Sequence, residues 1–206
     1  MIANPPILNS DFQPAWEIAY LFPPQGLWSE ADYMALRPNR HVEFTDGAIE
    51  VLPMPTYSHQ KILRFLFRAL EAFALARGLG EVMFAPLRVQ IRSGKYREPD
   101  IVFMLAEHSQ RCGEEYWIGA DLVVEIVSND PRSRERDLAN KRADYAEAGI
   151  PEYWIVDPVE SRIVILRLEG ATYQTRGEFK RGQKAASVLL QGFVVDVSAV
   201  LDAGKN

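Results

Sequence analysis

Apolar residues recur along this chain with two periods, and the places where one period gives way to the other predict its elements. Ser29 to Leu36 reads as a short helix, opened by a serine cap with Asp32 three residues on and stopped by Pro38. A hairpin is expected next, because His41–Thr45 and Ala48–Leu52 flank the two-residue turn signal Asp46-Gly47. Tyr57 to Arg77 keeps helical spacing up to Gly78. Its polar positions Lys61, Arg64, Arg68 and Glu71 form so narrow a stripe that burial on more than one side is expected. Runs rich in β-branched residues predict strands at Glu81–Ile91, broken or bulged at Pro86, then at Ile101–Leu105 and Leu122–Val127. A helix from about Arg132 to Ala148, closed by Gly149 and Pro151, leads to strands at Glu152–Val156, Arg162–Leu168 and Tyr173–Arg176. Residues 193–201 add a last short strand and turn.

This order predicts an α/β domain of the α+β type, a mixed and mostly antiparallel sheet flanked by helices with one β-α-β crossover. Residues 1–28, with Pro5, Pro6, Pro14, Pro23 and Pro24 ahead of the first periodic segment, read as a proline-rich arm, and 29–206 as one domain. There are no internal repeats.

Two charges interrupt the apolar pattern. Asp121 to Ser128 has the composition of a strand covered on both faces, yet Glu125 stands at its centre. In the following helix Leu138, Lys141, Tyr145 and Ala148 share one face, which puts Lys141 among the residues that should touch the sheet. Glu125 is roughly 10 Å from its strand end and Lys141 roughly 12 Å from a helix start near Ser133, so the two should come level when the helix folds back. Asp100, in REPDIVFM, starts a neighbouring strand and belongs with them. Two carboxylates and a lysine in one partly buried place are costly unless a metal or a reaction requires them.

With 206 residues, 48% of them hydrophobic, the chain can bury a full core. No apolar run is long enough to cross a bilayer, and the first residues lack the basic start and apolar centre of a secretory leader. The single cysteine, Cys112, forbids an internal disulfide and fits a reducing compartment, so the cytoplasm is expected. A net charge of −5 and a pI near 5.3 argue against a general nucleic-acid coat protein. Local runs differ: Arg88, Arg92, Lys95 and Arg97 stand without an acid between them, and residues 131–142 hold Arg132, Arg134, Arg136, Lys141 and Arg142 against Glu135 and Asp137. These runs either favour a phosphate-bearing substrate, with Arg97, Arg134 and Arg136 as candidate phosphate ligands, or are solvated faces.

The dipeptide Pro99-Asp100, Glu125 on the next strand and the block DLANKRADYAEAGIPEYWIVDP together resemble the PD-(D/E)XK nuclease superfamily, and within it the Uma-type family of restriction-endonuclease-like proteins, over about Ser29 to Leu201. The usual lysine of that superfamily would fall two residues after the glutamate, where this chain has Val127. The resemblance implies that the lysine has moved to the helix as Lys141, and it singles out Glu43 as a further acidic catalytic residue, with His59 as an accessory candidate. Tyr145 is a second accessory candidate by its place one turn beyond Lys141, from which its hydroxyl can reach the site. It also implies a restriction-endonuclease-like fold, hydrolysis of DNA phosphodiesters, and Mg²⁺, or Mn²⁺ in its place, on Asp100 and Glu125. Hard carboxylate oxygens suit such an ion, and Lys141 suits charge developing on phosphorus. A homodimer would suit paired cuts on two strands.

Each residue also has a structural reading. Asp100 could cap backbone groups, Glu125 and Lys141 could be a buried ion pair, Glu43 could be a solvated carboxylate on a half-exposed strand, His59 could open its helix, and Tyr145 could pack in the core. Of Tyr153 and Trp154, which alternate along a strand, one is expected in the core. Two other functions therefore stand beside the nuclease: a nuclease-like nucleic-acid-binding or scaffold protein without activity, and a hydrolase using two carboxylates on another substrate, which gives Lys141 no task.

Overall fold

A computed structural model describes residues 19–36, 38, 40–128, 134 and 140–205. After a 3-10 turn at Ala19–Leu21 comes α1 (Glu30–Ala35), whose Ser29 cap and Asp32 form a reciprocal capping box. The hairpin follows as β1 (Val42–Thr45) and β2 (Ala48–Val51), with Asp46 and Gly47 both at positive φ in the turn. Next is α2 (Tyr57–Leu75), which Thr56 caps by accepting from the His59 amide. The run broken at Pro86 gives two strands, β3 (Gly80–Phe84) and β4 (Val89–Arg92), which belong to different sheets. Short β5 (Lys95–Arg97) precedes β6 (Ile101–Leu105), a 3-10 turn at Ala106–Arg111, β7 (Trp117–Ile118) and β8 (Leu122–Ile126). The predicted crossover helix is described from α3 (Lys141–Glu147), and most of its first half lies outside the described residues. Then come β9 (Glu152–Asp157), β10 (Arg162–Glu169), β11 (Thr172–Lys180), β12 (Lys184–Ala186), β13 (Val194–Asp196) and α4 (Val197–Ala203). The chain end is thus a helix where a turn was expected, because the Asp196 carboxylate accepts from the Ala199 amide and starts it.

The strands form a six-stranded sheet ordered β11-β10-β9-β8-β6-β3, a five-stranded sheet ordered β2-β1-β5-β4-β7, and a β12-β13 pair. Among the described residues all pairings are antiparallel except β8 with β9, which the α3 crossover joins, and the short β4 with β7. Alternation in β8 divides the core. Leu122, Val124 and Ile126 pack with Ile62, Leu66 and Leu70 of α2 and with α4, while Val123 and Val127 pack with Tyr145 of α3. Tyr153 and Trp154 are both buried, one in each layer, because β9 is a central strand covered on both faces. The breadth of apolar sequence in α2 overstated its burial. Ile62, Leu63, Leu66, Leu70 and Ala74 line one inner face, and Phe65 and Leu75 remain at the surface.

No described helix is long and apolar enough to cross a membrane. The tripeptide Glu98-Pro99-Asp100 passes the chain from the five-stranded sheet into the six-stranded one, and at that crossing the charged residues gather.

Candidate active site

Register brings the two predicted carboxylates to one end of neighbouring strands. Ile101 pairs with Val124 in the antiparallel β6–β8 ladder, so Asp100 falls one step further on, opposite Glu125. The Ile126 amide donates to Asp100 Oδ2 at 2.7 Å, and His59 Nε2, from the first turn of α2, lies 3.1 Å from the same oxygen. Burial opposes the charge on Asp100, but His59, the Ile126 amide and Lys141 outweigh it and hold the carboxyl below the usual range. His59 responds in kind: burial disfavours its imidazolium, yet the Asp100 carboxylate and its hydrogen bond raise the pKa above the ordinary value.

Glu125 is where the rise arithmetic placed Lys141. The ammonium is 2.7 Å from Glu125 Oε1, the Tyr145 hydroxyl, one turn along α3, donates to that same oxygen, and all three residues are buried. Burial and then the Glu125 charge raise the Tyr145 pKa well above its usual value, so it stays a donor. Glu43 enters from β1 of the other sheet, with Oε1 3.5 Å from the Lys141 ammonium and Oε2 3.6 Å from Arg97 Nε. The expectation of a half-exposed Glu43 is corrected: it is 1% exposed, closed in by Lys141 of α3, by Arg97 and by the Glu98 amide, which donates to its Oε1.

Arg97 and Arg134 do not line the cleft among the described residues, and both guanidinium groups are engaged inside the protein. Arg97 donates to Asp144 at 2.8 Å and to the Thr45 hydroxyl, and Arg134 makes a two-pronged contact with Asp157. Arg136 lies outside the described residues. The basic run at 88–97 is likewise absorbed. Arg88 caps the carbonyls of Tyr33, Met34 and Leu36, Arg92 holds Asp46 and Glu147, and Lys95 holds Asp144 and Glu147.

Sequence reasoning missed Glu98 and His41. Glu98 lines the cleft with Asp100, Glu125, Lys141, His59 and His41, around about 470 Å³ of space. Its Oε2 is buried without a hydrogen-bond partner and lies 3.6 Å from His41 Nδ1. Burial, and then the neighbouring Glu43, pushes the Glu98 carboxyl up to about 7. Burial likewise depresses His41, even though Asp100 pulls the other way. The available signal was REPD itself, an acid two residues before Asp100 and so on the same side of an extended chain.

Elsewhere buried acids are satisfied: Asp121 by the Leu105 amide and Arg111, and Glu152 by the Val188 and Leu189 amides and Trp154. In the cleft Glu98 leaves a buried Oε2 without a hydrogen bond, as does Glu43 behind it, whose Oε2 faces Arg97 at 3.6 Å. Buried polar atoms are rarely left so without a ligand or reaction to serve. Among the described residues no three histidine, cysteine or acidic side chains are close enough to hold a metal by themselves. The donor set still fits Mg²⁺, which takes one or two carboxylates and keeps several waters.

A mixed sheet that presents neighbouring carboxylates and a buried lysine at one end of a parallel crossover defines a restriction-endonuclease-like α+β protein. A crystal structure described as that "of a putative nuclease belonging to DUF820 from Anabaena variabilis" has the same fold, with a TM-score of 0.72 and 16% identity over 86% of this chain and 99% of that one. The chain belongs to the Uma2 family, described as "Putative restriction endonuclease", whose family model matches residues 28–198. Among curated proteins none matches the chain.

Proposed function

We propose that this protein is a metal-dependent endonuclease that hydrolyses phosphodiester bonds in DNA, with Mg²⁺, or Mn²⁺ in its place, held by Asp100 and Glu125. The observation that carries the reading is Lys141, a buried ammonium 2.7 Å from Glu125 in the cleft that also holds Asp100. A simple ion pair would need neither Asp100 nor the unsatisfied Glu98 beside it. When bound, the ion would polarise a phosphoryl oxygen and lower the pKa of a bound water.

The protein's own groups supply the rest. His59 and the Ile126 amide fix one oxygen of Asp100. Tyr145 and Lys141 fix Oε1 of Glu125. Lys141 presents positive charge to the phosphate as negative charge develops there, in a site where low polarity strengthens the interaction. Glu43 is a positioning residue, acting through Lys141 and Arg97. The family description and the fold of the Anabaena protein support the nuclease reading.

Nicking of supercoiled plasmid tests it. Wild type should nick with Mg²⁺ or Mn²⁺ and not in EDTA, and Glu125→Gln should not nick under any of the three. If wild type cuts no nucleic acid with either metal, the reading fails and a nuclease-like scaffold without activity takes its place.

A further inference from the structure

The outer face of α2 carries two cations that nothing among the described residues engages. Arg64 and Arg68, one turn apart, are exposed and make no ion pair among the described residues. Every cation of the 88–97 run, by contrast, is bound to carbonyls or acids of the protein itself. The two arginines border a groove of about 550 Å³ between α2 and β3, whose apolar side is made by Tyr57, Phe67 and Phe84. Tyr57 is 72% and Phe84 48% exposed, and Phe84 is held edge-on against Phe67 with ring centroids 4.8 Å apart. Lys61 sits over the Tyr57 ring at 5.2 Å. Glu71, the acid that lines the groove among the described residues, is roughly 18 Å along the helix from His59. The groove and the catalytic cleft share the first turn of α2, since Tyr57 and Gln60 line the former while Ser58 and His59 line the latter.

We infer that this groove binds an unpaired strand of the nucleic-acid substrate, its phosphates on Arg64 and Arg68 and its bases on Tyr57 and Phe84, and leads it toward the cleft; the inference rests on the nuclease reading above. Guanidinium groups match phosphate oxygens in geometry and charge. Exposed aromatic rings beside them add a stacking surface that tolerates any base. A duplex keeps its base faces covered by stacking, so it would use the arginines and leave the rings idle. From Tyr57 to Arg68 the helix rises roughly 16 Å, long enough for a few nucleotides.

Anisotropy of a labelled 12-nucleotide single strand and of the matching duplex, in EDTA over a KCl series, tests the assignment. Wild type should prefer the single strand. Arg64→Ala with Arg68→Ala should weaken single-strand binding by about tenfold or more and lower the slope of log affinity against log salt by about 1.4. Tyr57→Ala should weaken binding by about tenfold with the slope unchanged. Arg167→Ala with Lys184→Ala, which removes two exposed cations on other strands, should do neither. Wild-type affinity in the Arg64/Arg68 variant, or a wild-type preference for duplex that Tyr57→Ala does not alter, overturns the proposal while leaving the nuclease reading intact. So does light scattering that finds a dimer dissociated by these substitutions with strand binding untouched. A wild type that neither binds nor cuts nucleic acid removes both.

Discussion

Glu98 shows at a single residue what the site stores. Its carboxyl is held at about 7 against an ordinary value of 4.5, so the fold disfavours its charge. Below about pH 4.5 the group is protonated folded or unfolded and contributes nothing. As pH rises toward 7 the unfolded chain ionises first, and above 7 the full penalty stands, up to about 3 kcal/mol. Glu98→Gln should therefore match wild type in urea unfolding at pH 4 and exceed it increasingly at pH 6 and 8 in EDTA. A variant less stable than wild type at pH 8 would show that the carboxylate is a structural partner instead. Lys141 makes the opposite case, a charge with partners on two sides. Lys141→Ala should lower turnover by about two orders of magnitude or more if the ammonium acts mainly in the transition state. Removing a cation from beside the carboxylates should leave metal affinity equal or improved, and cleavage at the wild-type rate would take the lysine out of the mechanism.

At the scale of elements, α3 ties the two sheets together. It belongs to the crossover of the six-stranded sheet, yet Asp144 reaches Lys95 at 2.6 Å and Arg97 at 2.8 Å on β5 of the five-stranded one. That clamp brings Glu43 to Lys141. Asp144→Ala should leave two half-buried cations without their main partner and cost about 3 kcal/mol by urea unfolding, with activity falling further than stability explains. Ser29→Ala, at the exposed cap of α1, should cost only about 1 kcal/mol. A similar small loss for both would mean the clamp is solvated and does not set the site. Elements with a strong local pattern, such as the Asp46-Gly47 hairpin and β8, were legible in the sequence. Short β5, β7 and β12 were not, because two or three residues carry no period and are held by their neighbours in the sheet.

For the whole molecule, folding and metal binding should be linked. An ion that binds only the folded site should stabilise wild type by about 1 to 3 kcal/mol at concentrations well above its dissociation constant, seen as a rise in Tm, and Glu125→Gln should remove the rise. A shift that survives Glu125→Gln would place the ion elsewhere. The net charge of −5 sets a different constraint. A protein that repels polyanions overall needs cations free of internal partners where it meets one. Of the two basic runs that could have met phosphate, 88–97 is taken up by the protein's own carbonyls and acids, while two arginines on a helix surface remain free of ion pairs among the described residues.

The sequence by itself determined the longer strands, the crossover and the pairing of Glu125 with Lys141. Each of these follows from the fixed rise and side-chain period of regular structure, which a reader of the chain can count. Asp100 also followed, since a charge just before an apolar run marks the start of a strand. Only the tertiary structure decided that Glu43 and Glu98 join them, that Arg97 faces inward to Asp144, and that the face of α2 carrying Arg64 and Arg68 looks outward. Those outcomes depend on how two sheets meet across Glu98-Pro99-Asp100 and on which cation reaches which acid first, and no local periodicity records the contact between elements distant in the chain.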